Sequence, residues 1–180
     1  MTMARIGRIA PAMMGLMAAS TIAQSPDLSE KPASASTIAA QAAQRASLPK
    51  DDGKDAEFAS RGFIATRANP VIANKDGRTV WNLAAYDWMK GDAPATVNPS
   101  LWRHMSILRR NGLFKLAEGM WQVRGFDVSN MTVIAGKTGW IVIDPLTNRE
   151  TAAAAMELVN QQLGARPIVA VIYTHSHADH

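Results

Sequence analysis

Two almost uninterrupted apolar runs, "WIVID" at 140–144 and "IVAVIYT" at 168–174, flank an alanine-rich stretch, and this pairing constrains the fold most. A strand that is apolar on both faces belongs inside a covered sheet, as parallel strands do. Between the runs, Ala152, Ala155, Met156, Val159 and Leu163 recur at helical spacing and form one apolar stripe. Thr147 and Glu150 fit a T-x-x-E capping box at its start, and Gly164 suits the position just past its end. A helix between two strands can carry the chain back across the sheet, which makes those strands parallel. "IVAVIYT" reads as a central strand. The expected class is α/β with a mixed sheet.

The segments before these runs read as shorter elements. "NMTVIAGKTGWIVIDP" reads as a hairpin turning at Gly136 to Gly139, and "LFKLAEGMWQVRG" as two strands around Glu118-Gly119. "TVWNLAAY" (79–86) follows the turn signal "KDGR" and reads as a strand. A short helix is expected from Ser100, ended by Gly112. Further upstream, 24–60 is a polar, alanine-rich lead-in. Its "TIAAQAAQRASL" can form a helix, while "SPDLSEKPASAS" and "PKDDGKD" break one. The first 23 residues have two arginines, an apolar stretch from Ile9 to Ala19, and small residues before Gln24. That is the layout of a cleaved secretory signal, too short in its apolar part and broken by Pro11 for a stable membrane span. Periplasmic export is the expectation, and the division is 1–23 signal, 24–60 lead-in, 61–180 folded domain.

Composition excludes more than it assigns. The chain of 180 residues has no cysteine, which removes disulfides, thiolate ligands and a cysteine nucleophile. The formal charge of +4 is small, and Arg5 and Arg8 lie in the leading segment. No basic patch with interleaved aromatics is present, so nucleic acid is not an expected partner.

The chemistry gathers at the end. Three of the four histidines and one aspartate fall in "HSHADH", straight after "IVAVIYT". In α/β sheets, functional groups collect at the carboxyl ends of strands, and Asp144 after "WIVI" occupies a second such end. Imidazole and carboxylate are good zinc ligands. His175 and His177, two apart, can face the same way, whereas Asp179 and His180 are neighbours that cannot easily join them on one ion. The spacing suggests two ions, one on His175 and His177 and the other on Asp179 and His180.

H-x-H-x-D-H after a buried strand resembles the metallo-β-lactamase superfamily. "RGFIA", "TVNPSLWR", "GLFKLAEGMWQVRGFDVSNMT", "TGWIVIDPLT" and "AVIYTHSHADH" look like the alkyl sulfatases within it, over about residues 39–180. The resemblance implies a partial αββα sandwich and two Zn²⁺, the first on His175 and His177, the second on Asp179 and His180. It implies hydrolysis of alkyl sulfate esters of the dodecyl sulfate type to alcohol and sulfate, and a homodimer for the complete protein. In that family further ligands and the sulfate-gripping residues lie downstream, so the chain reads as an N-terminal fragment, inactive by itself. Another hydrolytic activity of the superfamily is the alternative. No catalytic acid or base is assigned.

The resemblance also favours Asp144 as a residue behind the ligands that orients one of them; a strand-end turn aspartate before Pro145 is the plainer reading. Thr174 is expected to brace the loop. Ser176, between two ligands, has no free base to activate it as a nucleophile. Ser129 and Asn130 are explained equally by a backbone contact near the metal loop or by turn chemistry, and neither is assigned. His104 reads as a surface or helix-side histidine, and the tryptophans and methionines as core.

Overall fold

A six-stranded sheet grows out of simple alternation. The computed structural model describes residues 32–180, so the leader-like segment and the start of the lead-in lie outside the described residues. The elements in order are α1 (Ala35–Ser47), α2 (Lys54–Ser60), β1 (Phe63–Ala65), β2 (Val71–Ala73), β3 (Thr79–Asn82), α3 (Pro99–Leu108), β4 (Gly112–Ala117), β5 (Met120–Arg124), β6 (Met131–Ala135), β7 (Trp140–Ile143), α4 (Arg149–Leu163) and β8 (Ile168–Ile172). The sheet runs β1-β4-β5-β6-β7-β8, with β2 and β3 paired separately. Every pair is antiparallel except β7 and β8. The sheet is therefore mixed, and its parallel pair is the one flanking the crossover helix.

Register explains the core. Trp121 faces Val133, which faces Val142, and Val123 faces Met131. With side chains alternating across each strand, these residues share one face. Val123, Met131, Val133, Trp140 and Val142 are buried there together with Ala154, Ala155, Leu158 and Val159 of α4. The Trp140 indole also stands edge-on to Trp121 at 5.8 Å and donates to Asn160 Oδ1 at 3.1 Å. Gly139 lets the parallel strands close: a Cβ there would lie 2.2 Å from the Pro167 carbonyl oxygen.

Several local expectations shift. The strand expected over 79–86 stops at Asn82, whose side chain accepts the Ala84 N–H at 3.0 Å and turns the chain. Gly112 opens β4 rather than ending α3; a Cβ on it would meet the Ala65 carbonyl oxygen at 2.4 Å, so it serves the approach of β1 to β4. At α4 the cap is Asn148, which accepts the Thr151 N–H at 2.9 Å, because the Thr147 hydroxyl is drawn to Asp127 instead. The buried stripe accordingly runs through Thr151, Ala154, Ala155, Leu158 and Val159. β8 is not central among the described strands: it lies at the sheet edge, and all five of its residues are exposed. Within the lead-in, α1 begins at the Ser34 cap and is tied down where Arg45 donates to the Ala93 carbonyl at 3.1 Å.

Candidate metal centre

Both strand ends named by the sequence meet at one edge. The N–H of Asp144 donates to the Ile172 carbonyl at 2.9 Å, so the residue after β7 is hydrogen-bonded to the last residue of β8. Asp144 has φ 53, a left-handed conformation that aspartate tolerates better than most residues. It turns the carboxylate across the end of β8. Oδ1 accepts the Thr174 N–H at 2.8 Å and Oδ2 accepts the Thr174 hydroxyl at 2.8 Å. Thr174 thus braces the loop, as expected, and Asp144 is what it braces against.

Asp144 Oδ2 also lies 3.0 Å from His180 Nδ1. That nitrogen is buried without an aligned hydrogen-bond partner, so the contact is electrostatic rather than a directed bond. Burial works to raise the Asp144 pKa, but the Thr174 N–H, His180 and the Thr174 hydroxyl together outweigh it and hold the carboxyl below its ordinary value.

The imidazoles stand close together. The rings of His175 and His177 are 4.6 Å apart between centroids, and those of His175 and His180 are 4.0 Å apart. His175 Nδ1 is 3.0 Å from the Thr174 hydroxyl, which leaves its other ring nitrogen for a ligand. His180 Nε2 lies 3.3 Å from Asp179 Oδ2. A single turn closes the loop, with the His180 N–H donating to the His177 carbonyl at 3.2 Å. All four candidate ligands are therefore brought into one loop beside Asp144. The neighbouring imidazoles, the carboxylate and the orphaned His180 nitrogen fit a cation as a partial donor set. They do not form a closed cage: among the described residues, no three His, Asp or Glu side chains converge in the way that would hold an ion.

Two contacts were not assigned from sequence. Ser129 donates its hydroxyl to the Asp179 carbonyl, and Asp127 accepts from Thr147, Asn148 and Thr151 at the start of α4. The phrase "VRGFDVSNMT" held the signal, since it buries two polar residues in a strand connection. His104 is exposed on α3, away from this loop in sequence and contacts.

The chain is similar to known proteins over most of its length. Residues 124–180 match the metallo-β-lactamase superfamily, whose members generally bind metal ions. The chain is 44% identical over 152 residues to a linear primary-alkylsulfatase of Pseudomonas sp., covering 83% of this chain and 23% of that protein. It is 43% identical to an (R)-specific secondary-alkylsulfatase of Pseudomonas sp., over 93% of this chain and 26% of the relative. An alkyl/aryl-sulfatase of Saccharomyces cerevisiae is 42% identical over 81% of this chain and 23% of its own length. The solved structure of the stereoselective inverting sec-alkylsulfatase Pisa1 from Pseudomonas sp. superposes with a TM-score of 0.80 at 46% identity, covering 83% of this chain and 24% of that one. The chain thus spans about a quarter of the length of these relatives. Its strands and its histidine loop are similar to those of alkyl sulfatases in the metallo-β-lactamase superfamily, over about a quarter of the length of those proteins.

Proposed function

We propose that this chain supplies the first metal-ligating loop of a hydrolase that cleaves alkyl sulfate esters to an alcohol and inorganic sulfate. The observation that carries the proposal is the placement of His175, His177, Asp179 and His180 in one loop, braced from behind by Asp144 and Thr174, in a chain similar to proteins named as alkylsulfatases. His175 and His177 would hold one zinc ion, and Asp179 and His180 a second. Bound zinc supplies Lewis acidity and lowers the pKa of water toward neutrality. The chain's own contribution is orientation: Thr174 fixes the His175 ring through Nδ1, and Asp144 fixes Thr174 and stands against His180.

Sulfate release from dodecyl sulfate by the full-length hydrolase that carries this loop, with and without added zinc, tests the activity. Zinc-dependent release is expected. Turnover of a β-lactam or a thioester with no sulfate release would reject the substrate class. A second reading has its own support in the absence of a closed three-ligand group among the described residues. On that reading the 180-residue chain binds zinc weakly and does not turn over by itself, and zinc uptake without sulfate release would favour it. Export to the periplasm through residues 1–23 and assembly as a homodimer belong to the same proposal. N-terminal sequencing of exported protein and sedimentation measure them.

A further inference from the structure

The connection Gly125–Asn130 between β5 and β6 makes more fixed polar contacts than a strand turn requires. Trp81 Nε1 donates to the Gly125 carbonyl at 2.8 Å, and Phe126 is buried in the core. Asp127 is buried next to it. Its Oδ2 accepts the hydroxyls of Thr147 at 2.5 Å and Thr151 at 2.6 Å and the Thr147 N–H at 3.1 Å, while Oδ1 accepts the Val128 N–H at 2.7 Å. Two residues on, buried Ser129 donates to the backbone carbonyl of Asp179. Val128 between them is 69% exposed. One short stretch therefore grips the strand–helix turn with one side chain and the histidine loop with another.

What it grips needs holding. In the turn 144–147, Asp144 (φ 53) and Leu146 (φ 73) are both left-handed without being glycine. Such conformations persist only where the surroundings over-determine them. Asp127 fixes the residue after Leu146, and Asp144, at the other end of the turn, faces Thr174 and His180. Residues 175–178 are exposed. Among the described hydrogen bonds, the Ser129 hydroxyl is what reaches the Asp179–His180 backbone from outside the loop's own strand.

We propose that Asp127 and Ser129 are positioning residues of the metal site, an inference that rests on the zinc-loop reading above. Together they set where the Asp179–His180 pair stands relative to Asp144, without touching the metal themselves. Partners of this kind behind a ligand set change metal affinity by roughly 10–100-fold when removed.

The test measures zinc affinity of the full chain by competition with a chromophoric chelator, beside thermal midpoints and metal-free amide exchange. The variants are Ser129→Ala, Ser129→Thr and Asp127→Asn, with Val133→Ala as a core control that lowers stability elsewhere. Ser129→Ala is expected to keep its fold, lose zinc affinity by roughly 10–100-fold and exchange faster at His177–His180 but not in β8. Ser129→Thr, which keeps the hydroxyl, should bind close to wild type, and Asp127→Asn should follow Ser129→Ala. If Asp127→Asn fails to fold, Ser129→Ala carries the decision. Wild-type affinity in Ser129→Ala overturns the proposal and leaves the zinc reading standing, as does an equal loss in Val133→Ala, which would mark a merely structural effect. No zinc binding by wild type rejects the metal reading itself and this inference with it.

Discussion

Replacing Asp144 separates three effects that the structure superimposes there. Its carboxylate accepts the Thr174 N–H and the Thr174 hydroxyl, both at 2.8 Å, and its backbone is left-handed at φ 53. Asp144→Asn keeps shape and the same tolerance of left-handed backbone, and the amide oxygen can still accept the Thr174 N–H. What it removes is charge, converting charge-assisted bonds of about 1.5–3 kcal/mol into neutral ones of about 1 kcal/mol. A loss of about 1–4 kcal/mol follows for the two bonds together. Asp144→Ala removes both bonds and adds left-handed strain of about 1–2 kcal/mol, so it should cost about 4–8 kcal/mol in all. Urea unfolding at neutral pH measures both, and the m-values should match wild type if only stability changes. The pH dependence supplies an internal check. Because the folded-state pKa is depressed, the charge-dependent part is present above the ordinary carboxyl value of 3.8 and is lost as pH falls below it. The gap between wild type and Asp144→Asn should close on acidification. If alanine costs no more than asparagine, or if the gap persists unchanged in acid, this account of the strand end is wrong.

Three further outcomes are expected. Gly139→Ala should destabilise by about 1–3 kcal/mol through overpacking, because its Cβ would sit 2.2 Å from the Pro167 carbonyl oxygen; calorimetry reads the loss, and a neutral result would mean β7 and β8 can part without cost. Trp140→Phe should cost about 1–3 kcal/mol, combining the lost hydrogen bond to Asn160 with an underfilled core, and a thermal midpoint equal to wild type would contradict it. Zinc at about one hundred times its dissociation constant should raise stability by about 2.7 kcal/mol, reversed by chelator and abolished in His175→Ala/His177→Ala.

The sequence carried the sheet well where its signals were local. Apolar runs separated by glycine-bearing turns, as at Glu118-Gly119 and Gly136 to Gly139, let β4 to β7 be read directly, and Val133, Val142 and Trp121 then fall on one face. The parallel junction followed from one helix between two apolar runs. The start of α4 was misplaced by a residue because Thr147, a good local cap, is claimed by Asp127 from 20 positions away. Among the described strands β8 stands at the edge, although its apolar composition suits a strand covered on both faces. The histidine loop was legible because metal ligands cluster in sequence. Its support was only half legible: Asp144 stands at a recognisable strand end, whereas the Ser129 contact joins residues 50 positions apart, so turn chemistry explained that residue equally well.

The order of the sheet also carries a kinetic consequence. From Gly112 to Ile143 the strands form a meander, each pairing with its neighbour through a short turn, and such hairpins close in about 1–10 microseconds. β8 joins differently, in parallel and only after the whole of α4 has been laid down, and pairings of that separation are slow. The histidine loop is attached to this last strand and to Asp144 beside it. Its organisation thus depends on this slow parallel pairing being made. The two rates separate the possibilities: an ion that slows unfolding and leaves refolding unchanged latches a finished protein, whereas one that speeds refolding seeds its assembly.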